Sequence, residues 1–336
     1  MIEIEAPRTS KEKDAAIELA ISALDKTYGE GTVVSMKNRV GKPVPHIPTG
    51  IWEVDTKVLG VGGFPRGRIV EVYGSEAGGK TSLALRTVGS AQRAGGRAAF
   101  IDAEHALDVN WASKMGVSVD DLLVCQPDFG EQALEVVGGL VETRAVDIIV
   151  VDSVSALVPK AEIEGDMGDS HMALQARLMS QAMRKLTHCV SQANCVLLFI
   201  NQIRSNLGVT YGTTETTTGG RALRFYASVR LDVRRIGAVK SGETVIGNKV
   251  RIKGAKNKVA TPFREVEIEL LFDRGFDAVG SLIDAAVEKG VVSKSGSWYS
   301  YKGERAGQGK EAARDYFKDK EEELRAALSG VNSVPA

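Results

Sequence analysis

Cysteine is scarce, with three in 336 residues. Cys125, Cys189 and Cys195 are odd in number and lack metal-ligand spacing, which argues against a disulfide framework or a structural zinc site and fits free thiols in a reducing compartment. No apolar run approaches the roughly 18 residues that cross a bilayer, and the opening MIEIEAPRTSKEKD is polar and charged. Neither a spanning helix nor an export signal is expected, which leads to a cytoplasmic location without a membrane partner. A surplus of charge of one sign is missing too, since 43 basic residues face 43 acidic ones. Any nucleic-acid surface must then be a local patch, because no global positive field would steer it. The rest is ordinary for a globular chain: 43% hydrophobic and 26% charged residues, with length for one large domain and a small appendage.

Ile17, Ile21, Leu24 and Tyr28 recur at helical spacing and predict an amphipathic helix over 10–28, with Ser10 as its cap. Glycines and prolines then punctuate a linker holding a short strand. From Arg68 onward, short apolar runs alternate with helical stretches. Ile69–Tyr73, Ala98–Asp102, Ile148–Asp152 and Val196–Asn201 are expected to be buried strands, and Lys80–Arg93, Gly130–Arg144 and His171–Cys189 helices between them. The alternation predicts an α/β fold with a mostly parallel central sheet flanked by helices. Ser228–Ile236, Val250–Lys253 and Arg264–Phe272 follow without helices, so antiparallel pairing is expected there. In the last of these, Val266, Ile268, Leu270 and Phe272 would share one face. A helix at Ala278–Lys289, a hairpin at Val291–Tyr301 and a charged helix at Lys310–Leu328 predict a small α+β C-terminal domain, ending in a frayed VNSVPA. The expected division is 1–40, 41–275 and 276–336.

The strongest chemical signal is Gly74-Ser75-Glu76-Ala77-Gly78-Gly79-Lys80-Thr81-Ser82, which matches GxxxxGK[ST] directly after an apolar strand and directly before a helix. Glycines let successive backbone N–H groups turn inward on phosphates, and the helix start adds its positive dipole end. Lys80 would reach the β- and γ-phosphates of ATP, and the Thr81 hydroxyl would ligate Mg²⁺. Asp152, closing a second buried strand, supplies the acid expected to hold the magnesium. Glu104, beyond the strand Ala98–Asp102, falls on the sheet edge where ligands bind in open α/β folds, and is the expected general base in preference to Asp102 or His105.

Several longer blocks point further: FIDAEHALD (100–108), QPDFGEQALE (126–135), IIVVDSVSALVPKAEIEG (148–165), GDSHM (168–172), FINQIR (199–204), ETTTGG (215–220) and FYASVRLDVRRIGAV (225–239). Together with the phosphate loop they resemble the bacterial RecA recombinases, nearly end to end, through WYSYKGE (298–304). The resemblance implies a RecA-like P-loop ATPase core, a DNA-dependent ATPase that polymerises on single-stranded DNA, pairs it with homologous double-stranded DNA, and promotes self-cleavage of the SOS repressor in DNA repair. It implies an oligomerisation role for the first 40 residues and a helical homo-oligomeric filament. A ring-forming helicase of related fold would share the phosphate loop, Asp152 and Glu104.

Carried over by the same resemblance, Glu104 matches the water-activating glutamate and Gln202 the glutamine that senses the γ-phosphate. Asp108 and Trp111 match the nucleotide-base site, where Tyr is usual at the second position. Lys256 and Lys258 match lysines that reach the ATP of the adjacent subunit. DNA contacts are implied for two loops, about 164–172 and 203–220, with Met172, Arg204, Leu207, Gly219 and Gly220 as the contacting residues, and the nearby bases Arg177, Arg184, Lys185, Arg221 and Arg224 are expected to supply phosphate contacts. The second loop is also conspicuous by itself, being long, rich in Gly and Thr, and without periodicity. Charge alone marks neither loop for DNA, since Glu164, Asp166, Asp169 and Glu215 outweigh Arg204. Three departures stand out: the variable phosphate-loop positions lack the usual Pro and Ser pair, Asn206 stands where a lysine is common, and the acidic C-terminal tail of many members is missing.

Overall fold

The computed structural model describes residues 9–35, 42–166, 173–205 and 215–331. Met172 and Leu207, with most of the two proposed DNA loops, lie outside the described residues, as does the tail from 332. The chain divides into a unit of residues 1–43 and a unit of residues 44–336.

The first unit carries helix α1 (Ser10–Tyr28). Its cap is Thr9, one residue before the expected Ser10: the Thr9 hydroxyl accepts from Glu12 N at 3.2 Å, while the Glu12 carboxylate accepts from Thr9 N at 3.0 Å. That reciprocal pair satisfies two helix-start donors, which Ser10 could not do with a lysine three residues on.

In the second unit, β1 (His46–Ile47) pairs antiparallel with β2 (Phe64–Pro65). The alternating section then runs β3 (Arg68–Gly74), α2 (Lys80–Arg93), β4 (Ala98–Asp102), α3 (Val109–Lys114), β5 (Leu122–Cys125), α4 (Gly130–Glu142), β6 (Ile148–Asp152), α5 (Lys160–Ile163), α6 (Leu174–Ala193), β7 (Val196–Ser205), β8 (Glu215–Thr217) and α7 (Ala222–Tyr226). The long hairpin β9 (Val229–Ser241) and β10 (Thr244–Asn257) follows, then β11 (Glu265–Leu271) and β12 (Gly275–Phe276).

The large sheet has the order β12-β11-β10-β9-β3-β7-β6-β4-β5, with β8 paired to β7. From β9 to β5 every neighbouring pair is parallel, and from β12 to β9 every pair is antiparallel, as expected from the missing helices. Helices cover both faces, so each parallel strand sends alternate side chains to two cores. In β6, Ile148 and Val150 join Leu83 and Val88 of α2, whereas Ile149 and Val151 join Val137 of α4 and Met183 of α6. Burial on both faces explains why β4 and β6 are apolar up to their closing aspartates.

The C-terminal part has its own core. Helix α8 (Ala278–Glu288), the sheet β13 (Val292–Ser295), β14 (Trp298–Tyr301) and β15 (Glu304–Gln308), and helices α9 (Gly309–Phe317) and α10 (Glu321–Val331) enclose Leu282, Tyr301, Phe317, Leu324 and Leu328. Two expectations are corrected here. A third strand, Glu304–Gln308, joins the hairpin, and the expected single helix over Lys310–Leu328 is broken at Lys318–Lys320, where the chain turns so that Phe317 and Leu324 both reach the core. Phe272 is a third correction. Val266, Ile268 and Leu270 are buried, but the strand ends at Leu271 and Phe272 is 49% exposed.

Candidate nucleotide site

β3 ends at Gly74, and the chain turns through Ser75–Gly78 into α2. The glycines are needed sterically. A Cβ on Gly74 would lie 1.9 Å from Val233 O, and Gly79 has φ +94°, in the left-handed region that favours glycine. Lys80, largely buried, folds back so that Nζ donates to Ser75 O at 2.6 Å. Burial pulls its pKa down, opposed by the charges of Asp152, Glu104 and Glu76.

Three strand ends converge beside this turn. Thr81, on the first turn of α2, donates through Oγ1 to Asp152 Oδ2 at 2.6 Å. Burial pushes the Asp152 carboxyl up to about 6, with the Thr81 hydrogen bond opposing and the negative charge of Glu104 reinforcing. β4 and β6 run in register, so Asp102 lies opposite Asp152, and Glu104 follows two residues on. Glu104 Oε1 accepts from the Ser153 hydroxyl and from Gln202 Nε2, the latter at 3.0 Å. Gln202 in turn lies opposite Gly74, one strand over. Asp102 has other work: its carboxylate accepts from Ala106 N, Leu107 N and Gln126 Nε2, organising the turn that presents Glu104.

A cleft of about 270 Å³ continues from the phosphate turn to Trp111, Asn248, Leu270 and Phe272. Asp108 caps α3, accepting from Asn110 N and Trp111 N, and Trp111 Nε1 donates to Ser82 Oγ at 3.0 Å. Asn248 Oδ1 is buried and has no partner among the described residues. A base carrying an exocyclic amino group would supply the missing donor, and the hydroxyl–carboxylate pair of Thr81 and Asp152 offers the hard oxygens that Mg²⁺ takes. The residues therefore fit both a nucleotide with an amino-bearing base and the ion.

Lys256 and Lys258 are not part of this cluster. Lys256 is paired with Arg230, and Lys258 N donates to Ser228 O beside the opening residues of β3, at the end of the strand away from the phosphate turn. Lys256 Nζ donates to the carbonyls of Arg224 and Phe225. Arg177, Arg184 and Arg204 are exposed. Gly219 and Gly220 take left-handed φ values of +76° and +77° where the second loop returns.

Ser153, Asn201 and the buried pair Glu71–Arg230 escaped sequence reasoning. A signal existed for the pair: a glutamate within IVEVY and an arginine within ASVRLDV are charges inside otherwise apolar strands.

An open, mostly parallel sheet with a glycine turn, a lysine, and a threonine–aspartate pair at one strand edge defines a P-loop nucleotide-hydrolysing protein. Comparison with known proteins narrows that class. Residues 15–277 match the RecA N-terminal domain model and residues 280–330 the RecA C-terminal domain model. Protein RecA of Geobacter sulfurreducens is 54% identical over 330 residues, covering 97% of each chain. Protein RecA of Desulforapulum autotrophicum is 57% identical over 311 residues, 93% of this chain and 89% of that one. Protein RecA of Streptomyces coelicolor is 54% identical over 308 residues, 92% and 82% respectively. The chain belongs to the RecA family. It is a DNA-dependent ATPase that acts as a recombinase in DNA repair and the SOS response, and it binds DNA and forms filaments. Among the described residues, no helix is long and apolar enough to cross a membrane.

Proposed function

We propose that ATP is hydrolysed at the junction of β3, β4, β6 and β7, with each residue in the following part. The backbone of Gly74–Thr81, with Ser82, and the Lys80 ammonium grip the triphosphate, while Asp108 and Trp111 seat the base. Thr81 and Asp152 hold Mg²⁺, which when bound offsets the negative charge of the phosphate oxygens. Glu104 takes a proton from the attacking water, and Gln202 reports the γ-phosphate to the loop that follows it. Lys256 and Lys258 reach the nucleotide of the next subunit. Arg177, Arg184 and Arg204 neutralise DNA phosphates, Met172 and Leu207 wedge between bases, and Gly219 and Gly220 let the loop backbone approach the strand. The unit at 1–40 serves oligomerisation, 41–275 is the ATPase core and 276–336 an accessory domain. The protein works in the cytoplasm, and its filament also receives the SOS repressor.

The observation that carries the reading is the Glu104 carboxylate, held by Gln202 and Ser153 beside Lys80, Thr81 and Asp152. A general base contributes about 10²–10⁴-fold to rate. Glu104→Gln should keep nucleotide binding and lose roughly that factor in single-stranded-DNA-stimulated phosphate release. Parental turnover in this variant would sink the assignment.

A further inference from the structure

We propose that Asn201 is a positioning residue for hydrolysis: a buried clasp through which the returning stem of the 203–220 loop sets Gln202, and with it Glu104. The proposal rests on the roles given above to Glu104 and Gln202.

Asn201 is fully buried on β7, one residue before Gln202. Its amide nitrogen donates to Glu71 Oε1 at 2.9 Å and to Thr218 O at 3.1 Å. Its oxygen accepts from Thr218 Oγ1 at 2.5 Å and from Gln202 N at 2.9 Å. Two donors and two lone pairs are all that a carboxamide has, so every one is engaged. Glu71 is itself immobilised, since its other oxygen meets Arg230, whose guanidinium lies 4.4 Å from the centre of the Tyr73 ring. The amide therefore ties three segments to a rigid point: the strand feeding the phosphate turn, the strand carrying Gln202, and the loop stem at Thr218.

Thr218 directly precedes Gly219 and Gly220. A Cβ on Gly219 would come within 2.7 Å of Val154 Cγ1, so the loop stem also lies tight against the segment carrying Ser153. Among the described residues, Ser153 and Gln202 are the two side chains that donate to Glu104 Oε1. Displacement of the stem at 218–220 thus bears on both donors at once, by Thr218, Asn201 and Gln202 on one side and by Gly219, Val154 and Ser153 on the other. A spacer-filling asparagine would explain the bond to Glu71. It would not explain why the loop stem spends both its hydroxyl and its carbonyl on this one amide.

The test uses Thr218→Val, which removes the hydroxyl and preserves shape, and Thr218→Ser, which restores it, with Asn201→Ala alongside. Thr218→Val should lower single-stranded-DNA-stimulated kcat by about fivefold or more, with KM for ATP within about twofold of the parent and DNA binding retained. Thr218→Ser should recover most of the loss, a rescue that a merely structural role does not require. Should Asn201→Ala fail to fold, the Thr218 pair still decides. If Glu104→Gln turned over at the parental rate, the inference would fall together with the site assignment. If Glu104→Gln were inactive while Thr218→Val matched the parent, the clasp alone would be refuted.

Discussion

Gln202 Nε2 and Glu104 Oε1 are 3.0 Å apart, across a gap between two strands that are not neighbours in the sheet. With Ser153 on the same oxygen, Oε1 is occupied by two protein donors. Were Gln202 to turn its amide toward a phosphate, its bond to Glu104 would be given up, so that sensing the phosphate and freeing the base would be one movement. A coupling of this kind between sites is worth about 1–3 kcal/mol, or 5- to 150-fold. Gln202→Leu removes the amide, and the ratio of ATPase rates with and without single-stranded DNA should fall by about tenfold or more. Steady-state phosphate release reads the ratio, and an unchanged value would show that Gln202 is not the sensor.

Asp152 gives the site a pH dependence whose sign follows from its surroundings. Burial raises its pKa from 3.8 to about 6, so the ionised form that would hold Mg²⁺ prevails above that value and is lost as pH falls through it. At about pH 5 only about a tenth of the sites would carry the charge, which should weaken Mg²⁺-dependent nucleotide binding by about tenfold relative to neutral pH. Asp152→Asn should bind weakly at both pH values and without that slope. Titration of a fluorescent ATP analogue, with and without Mg²⁺, compares the two proteins. The phosphate's own titration is common to both, so a parallel slope in the variant would remove Asp152 from the ion's coordination.

A second carboxyl, far from the chemistry, links pH to stability. Asp55 lies in the helical turn Val54–Val58, where Oδ1 accepts from Thr49 N and Thr49 Oγ1, each at 2.8 Å. Burial pushes its pKa to about 7, opposed by the Thr49 hydrogen bonds and the Arg325 charge. A raised carboxyl favours the folded state when protonated, so its contribution is present below the unfolded value of 3.8 and disappears as pH climbs to about 7. Asp55→Asn retains the acceptor and cannot ionise. Between about pH 5 and about pH 8, the parent should lose about 2 kcal/mol of stability relative to this variant. Urea midpoints at the two pH values measure it, and parallel behaviour would mean that Asp55 is ionised in the folded protein.

What the sequence made legible follows the range of the physics involved. Gly74, Gly79, Lys80 and Thr81 are dictated by a local turn and its ligand, and the bounds of Lys80–Arg93 agree to the residue because Gly79 starts the helix and the left-handed Gly95 follows its end. Strands β4 and β6 read correctly because burial on both faces leaves nothing polar in them before the closing Asp102 and Asp152. Glu71 and Arg230 were opaque for the opposite reason: each is tolerable only because of a partner 159 residues away. Asn201 hides likewise beside the more conspicuous Gln202, since its partners come from β3 and the loop stem. Phe272 and the break at Lys318–Lys320 were misjudged where tertiary packing, rather than periodicity, ends an element.

The lysines Lys256 and Lys258 permit the sharpest test of how subunits share a site. β3 is seven residues long, about 20 Å at the usual rise, with the phosphate turn at one end and Lys258 beside the other. A lysine side chain does not cover that distance, so these residues do not reach the phosphate turn of their own protomer, and the role proposed for them needs another subunit's nucleotide. In a head-to-tail filament each site would combine Glu104 of one protomer with Lys256 and Lys258 of the next. A Glu104→Ala variant and a Lys256→Ala, Lys258→Ala double variant should each be nearly inactive alone. Mixed in equal amounts and randomly co-assembled on single-stranded DNA, they should regain about a quarter of parental ATPase activity, because that fraction of junctions receives both intact partners. Energy transfer between labelled variants verifies the co-assembly. Mixed filaments that stay inactive would show that the lysines do not complete a neighbour's site.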